Sequence, residues 1–223
     1  MEKEKPSVTV DIVLFTLMGD DLKVLLVKRK YPPFKDSWAI PGGFVKINEP
    51  LDEAAIRELR EETNVSNVYL EQLYTFGEPK RDPRGRVITI CYVGLVHHEN
   101  FKLKASTDAS DVSWFSVYSL PKLAFDHKDI VEFALKRLRA KIGYSNIIQG
   151  LLPDEFTLSE LQRAYEIILN KQLDKRNFRK KIFALEIIKE LHGKMKGKFR
   201  PAQVYKFISK NIETFKVEFR PNF

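Results

Sequence analysis

Cysteine is almost missing from this chain of 223 residues. Cys91 stands alone inside the strand-like run VITICYVGLV, so no disulfide framework can form and the thiol reads as core filling. Long apolar stretches are lacking too, since none approaches the roughly 18 residues that a membrane span needs. The first residues are acidic and carry lysine, without the basic-then-apolar order of a secretion signal. Together these absences predict a cytoplasmic chain that does not engage a membrane. What is present, 43% hydrophobic and 30% charged residues, is the composition of an ordinary folded protein, long enough for one large domain or two small ones.

The net charge of +8 is unevenly spread. Residues 1–150 hold 22 basic and 21 acidic side chains, whereas residues 151–223 hold 16 and 9, an excess of seven. The last third therefore predicts an anionic partner.

Up to residue 150 the chain alternates strand and helix patterns. Val8–Leu17 and Leu22–Arg29 are β-rich and joined at Gly19-Asp20-Asp21, which reads as a hairpin. Val68–Phe76, Val87–Val96 and Val112–Phe115 read as further strands, and Trp38 as a core aromatic. Asp129–Lys141 repeats apolar residues at helical spacing, with Asp126 expected to cap that helix and His127 to sit in its first turn. The order ββαβββα implies a mixed sheet held between helices, an α/β sandwich.

Residues 43–65, GFVKINEPLDEAAIRELREETNV, are the most informative stretch. On a helix Glu58, Glu61 and Glu62 fall at i, i+3 and i+4 and share one face. Like charges at that spacing repel, so a cation is expected to offset the clustering. Mg²⁺ takes oxygen ligands from one or two carboxylates, completed by water and substrate phosphate. Pro50 suits the helix start, Asp52 and Glu53 complement the dipole in its first turn, and Asn64 suits a left-handed stop. Leu51, Ala55, Ile56 and Leu59 form the apolar arc, which places the adjoining acids at the edge of the core, facing a cleft.

The segment resembles the Nudix box, G-x5-E-x7-R-E-U-x-E-E-x-G-U with U aliphatic. Gly43, Glu49, Arg57, Glu58, Leu59, Glu61, Glu62 and Val65 match, and Asn64 replaces the last glycine. The resemblance implies that Glu58, Glu61, Glu62 and the carbonyl of Gly42 hold Mg²⁺ or Mn²⁺. It also implies that Arg57 orients the acids and that Glu49 ties the loop to the helix. The implied reaction is attack of water on phosphorus in a nucleoside diphosphate linked to another group. Between helix and strand, residues 76–86 (FGEPKRDPRGR) are too rich in Pro and Gly for regular structure. Arg81, Arg84 and Arg86 are candidates there for a diphosphate clamp. A proline at this distance resembles the ADP-ribose-cleaving branch, and Asp108 and Asp111 lie where family members sometimes supply a general base.

Residues 143–153 (GYSNIIQGLLP) change composition, which puts a boundary there, between domains spanning 1–150 and 151–223. Thr157-Leu158-Ser159-Glu160 forms a capping box, and Leu158, Leu161, Tyr165, Ile168 and Leu169 follow on one helical face. Asp174 caps a second helix with Phe178, Ile182, Leu185 and Ile188 inward and Arg176, Arg179 and Lys180 opposite. A glycine-rich hairpin bearing Lys194, Lys196, Lys198 and Arg200 comes next. This is the layout of a winged helix-turn-helix, whose second helix enters the major groove while the wing contacts phosphates. The segments FTLSELQ, DKRNFRKK and RPAQVY resemble the C-terminal part of Nudix-related bacterial transcriptional regulators of NAD or sugar metabolism. That resemblance implies a homodimer on operator DNA whose Nudix domain senses ADP-ribose or a relative, and because every acidic residue of the box is kept, the domain is expected still to hydrolyse it. Two other readings stay open: a pyrophosphatase with an accessory domain, and a sugar-responsive regulator without hydrolysis.

Overall fold

The computed structural model describes residues 5–100, 103, 109–195, 202–215 and 219. The described residues fall into two compact units, one from Met1–Thr16 and Leu22–Leu135, the other from Leu17–Asp21 and Lys136–Phe223.

The first unit is built on a mixed seven-stranded sheet. Its strands are β1 (Ser7–Met18), β2 (Asp21–Arg29), β3 (Trp38–Ala39), β4 (Gly42–Phe44), β5 (Leu70–Phe76), β6 (Val87–Leu95) and β7 (Ala109–Ser116). β1 runs parallel to β6 over Ser7–Phe15, and the short β4 pairs antiparallel with Thr9–Asp11 of β1. Those residues of β1 thus have a strand on each side. β1 is buried from Thr9 to Thr16, as a central strand covered on both faces must be. Helix α1 (Leu51–Thr63) covers one face, packing Ala54, Ala55 and Leu59 against Val10, Ile12 and Leu14. Helix α2 (His127–Lys141) serves the opposite face, where Phe133 meets Tyr74 and Phe76 and His127 approaches Asp11. The expected sandwich is therefore present. The sequence reading lacked β3 and β4, which at two and three residues are too short to show a period.

Helix α1 ends as its residues require. Asn64 takes the left-handed conformation at φ 63° and its N–H reaches the Arg60 carbonyl. Asparagine thus does the work of the missing glycine. One residue of the expected apolar arc is misplaced: Ile56 is exposed, and Ala54 is buried in its stead.

The second unit contains β8 (Phe156–Thr157), α3 (Leu158–Leu169), α4 (Lys175–Ala184), β9 (Ile188–Met195) and β10 (Ala202–Phe207), with β10 central in a three-stranded antiparallel sheet. The capping box closes in both directions, Glu160 N–H to Thr157 Oγ1 at 3.2 Å and Thr157 N–H to Glu160 Oε2 at 2.7 Å. Asp174 accepts the Asn177 N–H at 2.8 Å and starts α4. Tyr165, Phe178 and Phe219 pack ring on ring in the core beneath the two helices. α4 is shorter than the expected stripe: it stops at Ala184, Glu186 turns the chain at φ 53°, and Ile188 opens β9. This is nevertheless helix, turn, helix and two-stranded wing, as expected.

Candidate functional site

Within the first unit a cavity of about 510 Å³ opens beside β1, between β2 and β4. Glycine makes the close approach possible there. A Cβ on Gly43 would lie 2.4 Å from the Glu58 carboxylate, and one on Gly42 would lie 2.3 Å from the Val10 carbonyl oxygen. The Val10 obstacle is backbone in a central strand and cannot move aside. Gly42→Ala should therefore destabilise this unit by about 1–3 kcal/mol, as overpacking does, read as a lower midpoint in chemical denaturation.

α1 delivers its acids to this place unequally. Glu58 and Glu62 line the cavity, while the Glu61 side chain is 53% exposed and is not part of its wall. Arg57 is the organiser. It donates to Glu49 through two nitrogens, one contact measuring 2.7 Å, and to Glu58 and Glu61 at 2.6 and 3.1 Å. The Arg57 hydrogen bond holds the Glu49 carboxyl down at about 2, and Glu49 also accepts the Lys46 N–H, so loop and helix are tied. Burial pushes the Glu58 carboxyl up, with Arg57 opposing. Glu62 accepts the Gly42 N–H at 2.9 Å and fixes β4 to the helix.

Among the described residues no three acidic, histidine or cysteine side chains converge into a ready-made metal cage. The donor set is nonetheless one of hard oxygens, and Gly43 leaves room for the Glu58 carboxylate. That suits a divalent ion such as Mg²⁺, which takes one or two carboxylates and completes its shell with water and phosphate.

Three arginines were expected to clamp a diphosphate, and they divide into three cases. Arg81 is a correction. Although it touches the cavity wall, its side chain is only 3% exposed and grips Asp126 through two nitrogens at 2.7 and 2.8 Å, with Asp11 at 3.5 Å. Burial alone would lower its pKa, but Asp126 and Asp11 outweigh burial and raise it. It is a strut, already paired. Arg86 is a second correction, since it lies outside the cavity wall and donates to the Gly77 carbonyl. Arg84 lines the cavity, with its guanidinium 5.0 Å from the Phe44 ring and 5.5 Å from Phe125, steadied by Asp82 at 2.7 Å.

Asp126 does precede α2, as read, but its carboxylate serves Arg81. His127 opens that helix, buried, with Nδ1 accepting the Ile40 N–H at 3.1 Å and Nε2 3.9 Å from Asp11. Burial lowers its pKa, so the neutral ring carries its proton on Nε2, toward Asp11. The sequence reading missed Asp11, Lys28, Arg29, Lys30, Tyr31, Lys46 and Phe125, which also form the cavity wall. An aspartate amid the apolar run of β1 and the basic RKY that ends β2 were the available signals. Asp111 is exposed and lies outside the wall, and Asp108 lies outside the described residues.

Residues 5–134 match the NUDIX domain, and residues 148–207 match the NrtR DNA-binding winged helix domain. The chain belongs to the Nudix family. It is 38% identical over 207 residues, 91% of this chain and 82% of the relative, to the "ADPR responsive transcriptional repressor NtrR" of Acinetobacter baylyi. Its Nudix unit is 42% identical over 128 residues, 57% of this chain and 72% of the relative, to an ADP-ribose pyrophosphatase of Methanocaldococcus jannaschii. Shewanella oneidensis NrtR, solved in complex with a 27mer DNA, superposes with a TM-score of 0.78 at 37% identity over 90% of this chain and 93% of that one. The NUDIX domain of that protein, solved with ADP ribose, matches at 40% identity and a TM-score of 0.56 over 61% and 90%.

In the winged helix, α4 presents Arg176 and Lys180 as exposed side chains one turn apart, opposite Phe178 and Ile182. Arg179 departs from the expected outward row. It is half-buried, and its Nε has no hydrogen-bond partner among the described residues. A helix with Phe178 inward carries the next residue round by roughly 100°, onto its flank. Lys194 lies in β9 opposite Gln203, while Lys196, Lys198 and Arg200 lie outside the described residues. No helix among the described residues is long and apolar enough to cross a membrane.

Proposed function

We propose that this chain is a DNA-binding repressor whose Nudix unit binds ADP-ribose, or a closely related nucleoside diphosphate derivative, and hydrolyses it in the presence of Mg²⁺ or Mn²⁺. One observation carries the reading. Glu58 and Glu62, the acids suited to a metal–phosphate pair, share a single cavity wall with Lys28, Arg29, Lys30 and Arg84, in a chain that also bears the winged helix. The A. baylyi and S. oneidensis relatives supply the chemical class of the ligand and the DNA partner.

Glu58 and Glu62, with Glu61 and the Gly42 carbonyl, would hold the ion, and Arg57 keeps Glu49, Glu58 and Glu61 in register. What the ion supplies is neutralisation of charge on the phosphate oxygens while water attacks. Arg84 contacts the diphosphate. Arg176 and Lys180, with Lys194, Lys196, Lys198 and Arg200 of the wing, contact DNA as a homodimer, two-fold operators needing half-sites about one helical turn or a multiple apart. We place the domain boundary at residues 143–153, where the sequence changes composition, downstream of the division of the compact units between Leu135 and Lys136. An effector that favours one arrangement of the dimer by about 1–3 kcal/mol changes DNA affinity roughly 5- to 150-fold.

The test is a duplex-binding titration on DNA upstream of the chain's own gene, with ADP-ribose, NAD and arabinose in turn. ADP-ribose should weaken binding within that range and arabinose should not. A response to arabinose alone would replace this reading with the sugar-sensor one. Arg176→Ala with Lys180→Ala should weaken duplex binding and reduce the slope of log K against log salt by about 2, as two phosphate contacts are lost. Salt-insensitive binding in the wild type would end the regulator reading.

A further inference from the structure

Successive side chains of β1 point to opposite faces of the sheet. Val10, Ile12 and Leu14 pack against α1, so Thr9 and Asp11 project from the other face, and both line the cavity. Thr9 is 6% exposed and Asp11 7%, yet the fold satisfies neither side chain. The Thr9 hydroxyl has no hydrogen-bond partner among the described residues. The Asp11 carboxylate has one long hydrogen bond there, from Arg81 Nη2 at 3.5 Å, and that nitrogen is already held by Asp126 at 2.7 Å. Beside the other oxygen of Asp11, His127 Nε2 stands 3.9 Å away, beyond hydrogen-bond length.

Buried polar groups destabilise a fold when they are left without partners. Valine has the shape of threonine and suits a strand as well, so the sheet gains nothing from the Thr9 hydroxyl. Aspartate is a poor strand former, and Arg81 balances the charge of Asp11 without saturating its oxygens. Two under-bonded groups at i and i+2 of one strand, both in a cavity wall, point to a ligand as the missing partner. Their position narrows its chemistry. A Cβ on Gly42 would lie 2.5 Å from Asp11 Oδ1, and the Gly42 N–H is held by Glu62, so Asp11 adjoins the acids assigned to the metal and the diphosphate. A carboxylate repels phosphate oxygens and accepts from hydroxyls, while a threonine hydroxyl donates or accepts. The group that flanks the diphosphate of ADP-ribose on either side, and carries hydroxyls in adjacent pairs, is a ribose.

We propose that Asp11 and Thr9 bind the vicinal hydroxyls of a ribose attached to the diphosphate. Asp11 accepts from the diol, and Thr9 completes its hydrogen bonding. This rests on the reading of the cavity as a nucleotide site and names the residues that recognise the sugar.

The experiment is calorimetric titration of the full-length protein with ADP-ribose, ADP and 2′,3′-dideoxy-ADP, without divalent ions so that nothing is turned over. Thr9→Val should weaken ADP-ribose about 2- to 10-fold and Asp11→Asn about 10- to 100-fold, the ranges for a neutral and a charge-assisted hydrogen bond. Unchanged ADP affinity in both variants assigns the contacts to the distal ribose. A loss shared by ADP but not by 2′,3′-dideoxy-ADP assigns them to the adenosine ribose. An equal loss for all three ligands overturns the proposal, as does wild-type affinity for ADP-ribose in either variant. Thr9→Val should also leave the urea midpoint unchanged or raised, since the hydroxyl it removes has no partner. A lowered midpoint would make that hydroxyl a structural group and overturn its assignment to the ligand. If Asp11→Asn fails to fold, Thr9→Val decides by the same readings. A wild type that binds no ADP-ribose is a separate result, which removes the nucleotide reading and this proposal with it.

Discussion

Arg81→Ala should lower the stability of the Nudix unit by about 3–5 kcal/mol, the loss expected when one partner of a buried ion pair is removed. Its guanidinium joins Asp126, at the start of α2, to Asp11 in the central strand. Without it, two carboxylates and the neutral His127 would face one another around a space that the guanidinium had filled. Water admitted to that space would loosen α2 against the sheet. The chain has two tryptophans, Trp38 and Trp114, and both lie in the Nudix unit. Their fluorescence in a urea titration therefore follows this unit while the winged helix is silent. The discriminating comparison is with Arg84→Ala, whose guanidinium is 40% exposed although its partner Asp82 is buried, and whose loss should therefore cost less than that of Arg81, where the guanidinium and Asp11 are both buried. If Arg81→Ala unfolds like the wild type and loses only ADP-ribose affinity, Arg81 is a clamp and the strut assignment is wrong.

The misreading of Arg81 shows what a sequence conveys and what it withholds. The helix α1, its left-handed stop at Asn64 and the capping box at Thr157 were legible because each depends on residues within one or two turns. The sheet-and-helices layout followed from the order of strong β runs, whereas the parallel pairing of β1 with β6 was not in that order. The loop at 76–86 offered arginines at equal face value, yet their fates were set by partners far along the chain. Arg81 meets Asp126, 45 residues on, whereas Arg84 meets Asp82, two residues back. Asp11 and Arg29 went unread for the same reason, since a single polar residue in a β run or a basic residue at a strand end stands out without saying what it will meet. The box located the acids, but only the fold could separate Glu58 and Glu62, which line the cavity, from Glu61, which does not.

Glu62→Gln should reduce Mg²⁺-dependent hydrolysis of ADP-ribose about 1,000-fold, as expected when a contribution of several kcal/mol to charge stabilisation is lost. The substitution is chosen for what it leaves in place. The Glu62 carboxylate accepts the Gly42 N–H at 2.9 Å, and the glutamine carbonyl oxygen can accept the same bond, so β4 stays against the helix. Only the charge goes. Mn²⁺ binding, followed by the loss of free-ion paramagnetic signal, should weaken in parallel, and duplex DNA affinity in the absence of nucleotide should not change. Glu61→Gln should have the smaller effect, because that side chain is half exposed and engaged by Arg57. A Glu62→Gln protein that binds Mn²⁺ and releases phosphate as the wild type does would remove the acid helix from the chemistry. The regulator reading would outlast that result, since sensing needs only a difference in affinity for ADP-ribose between two states and no broken bond. On the proposed reading, hydrolysis and sensing would be separable functions of one cavity, and a variant that has lost the first while ADP-ribose still weakens operator binding would demonstrate the separation directly.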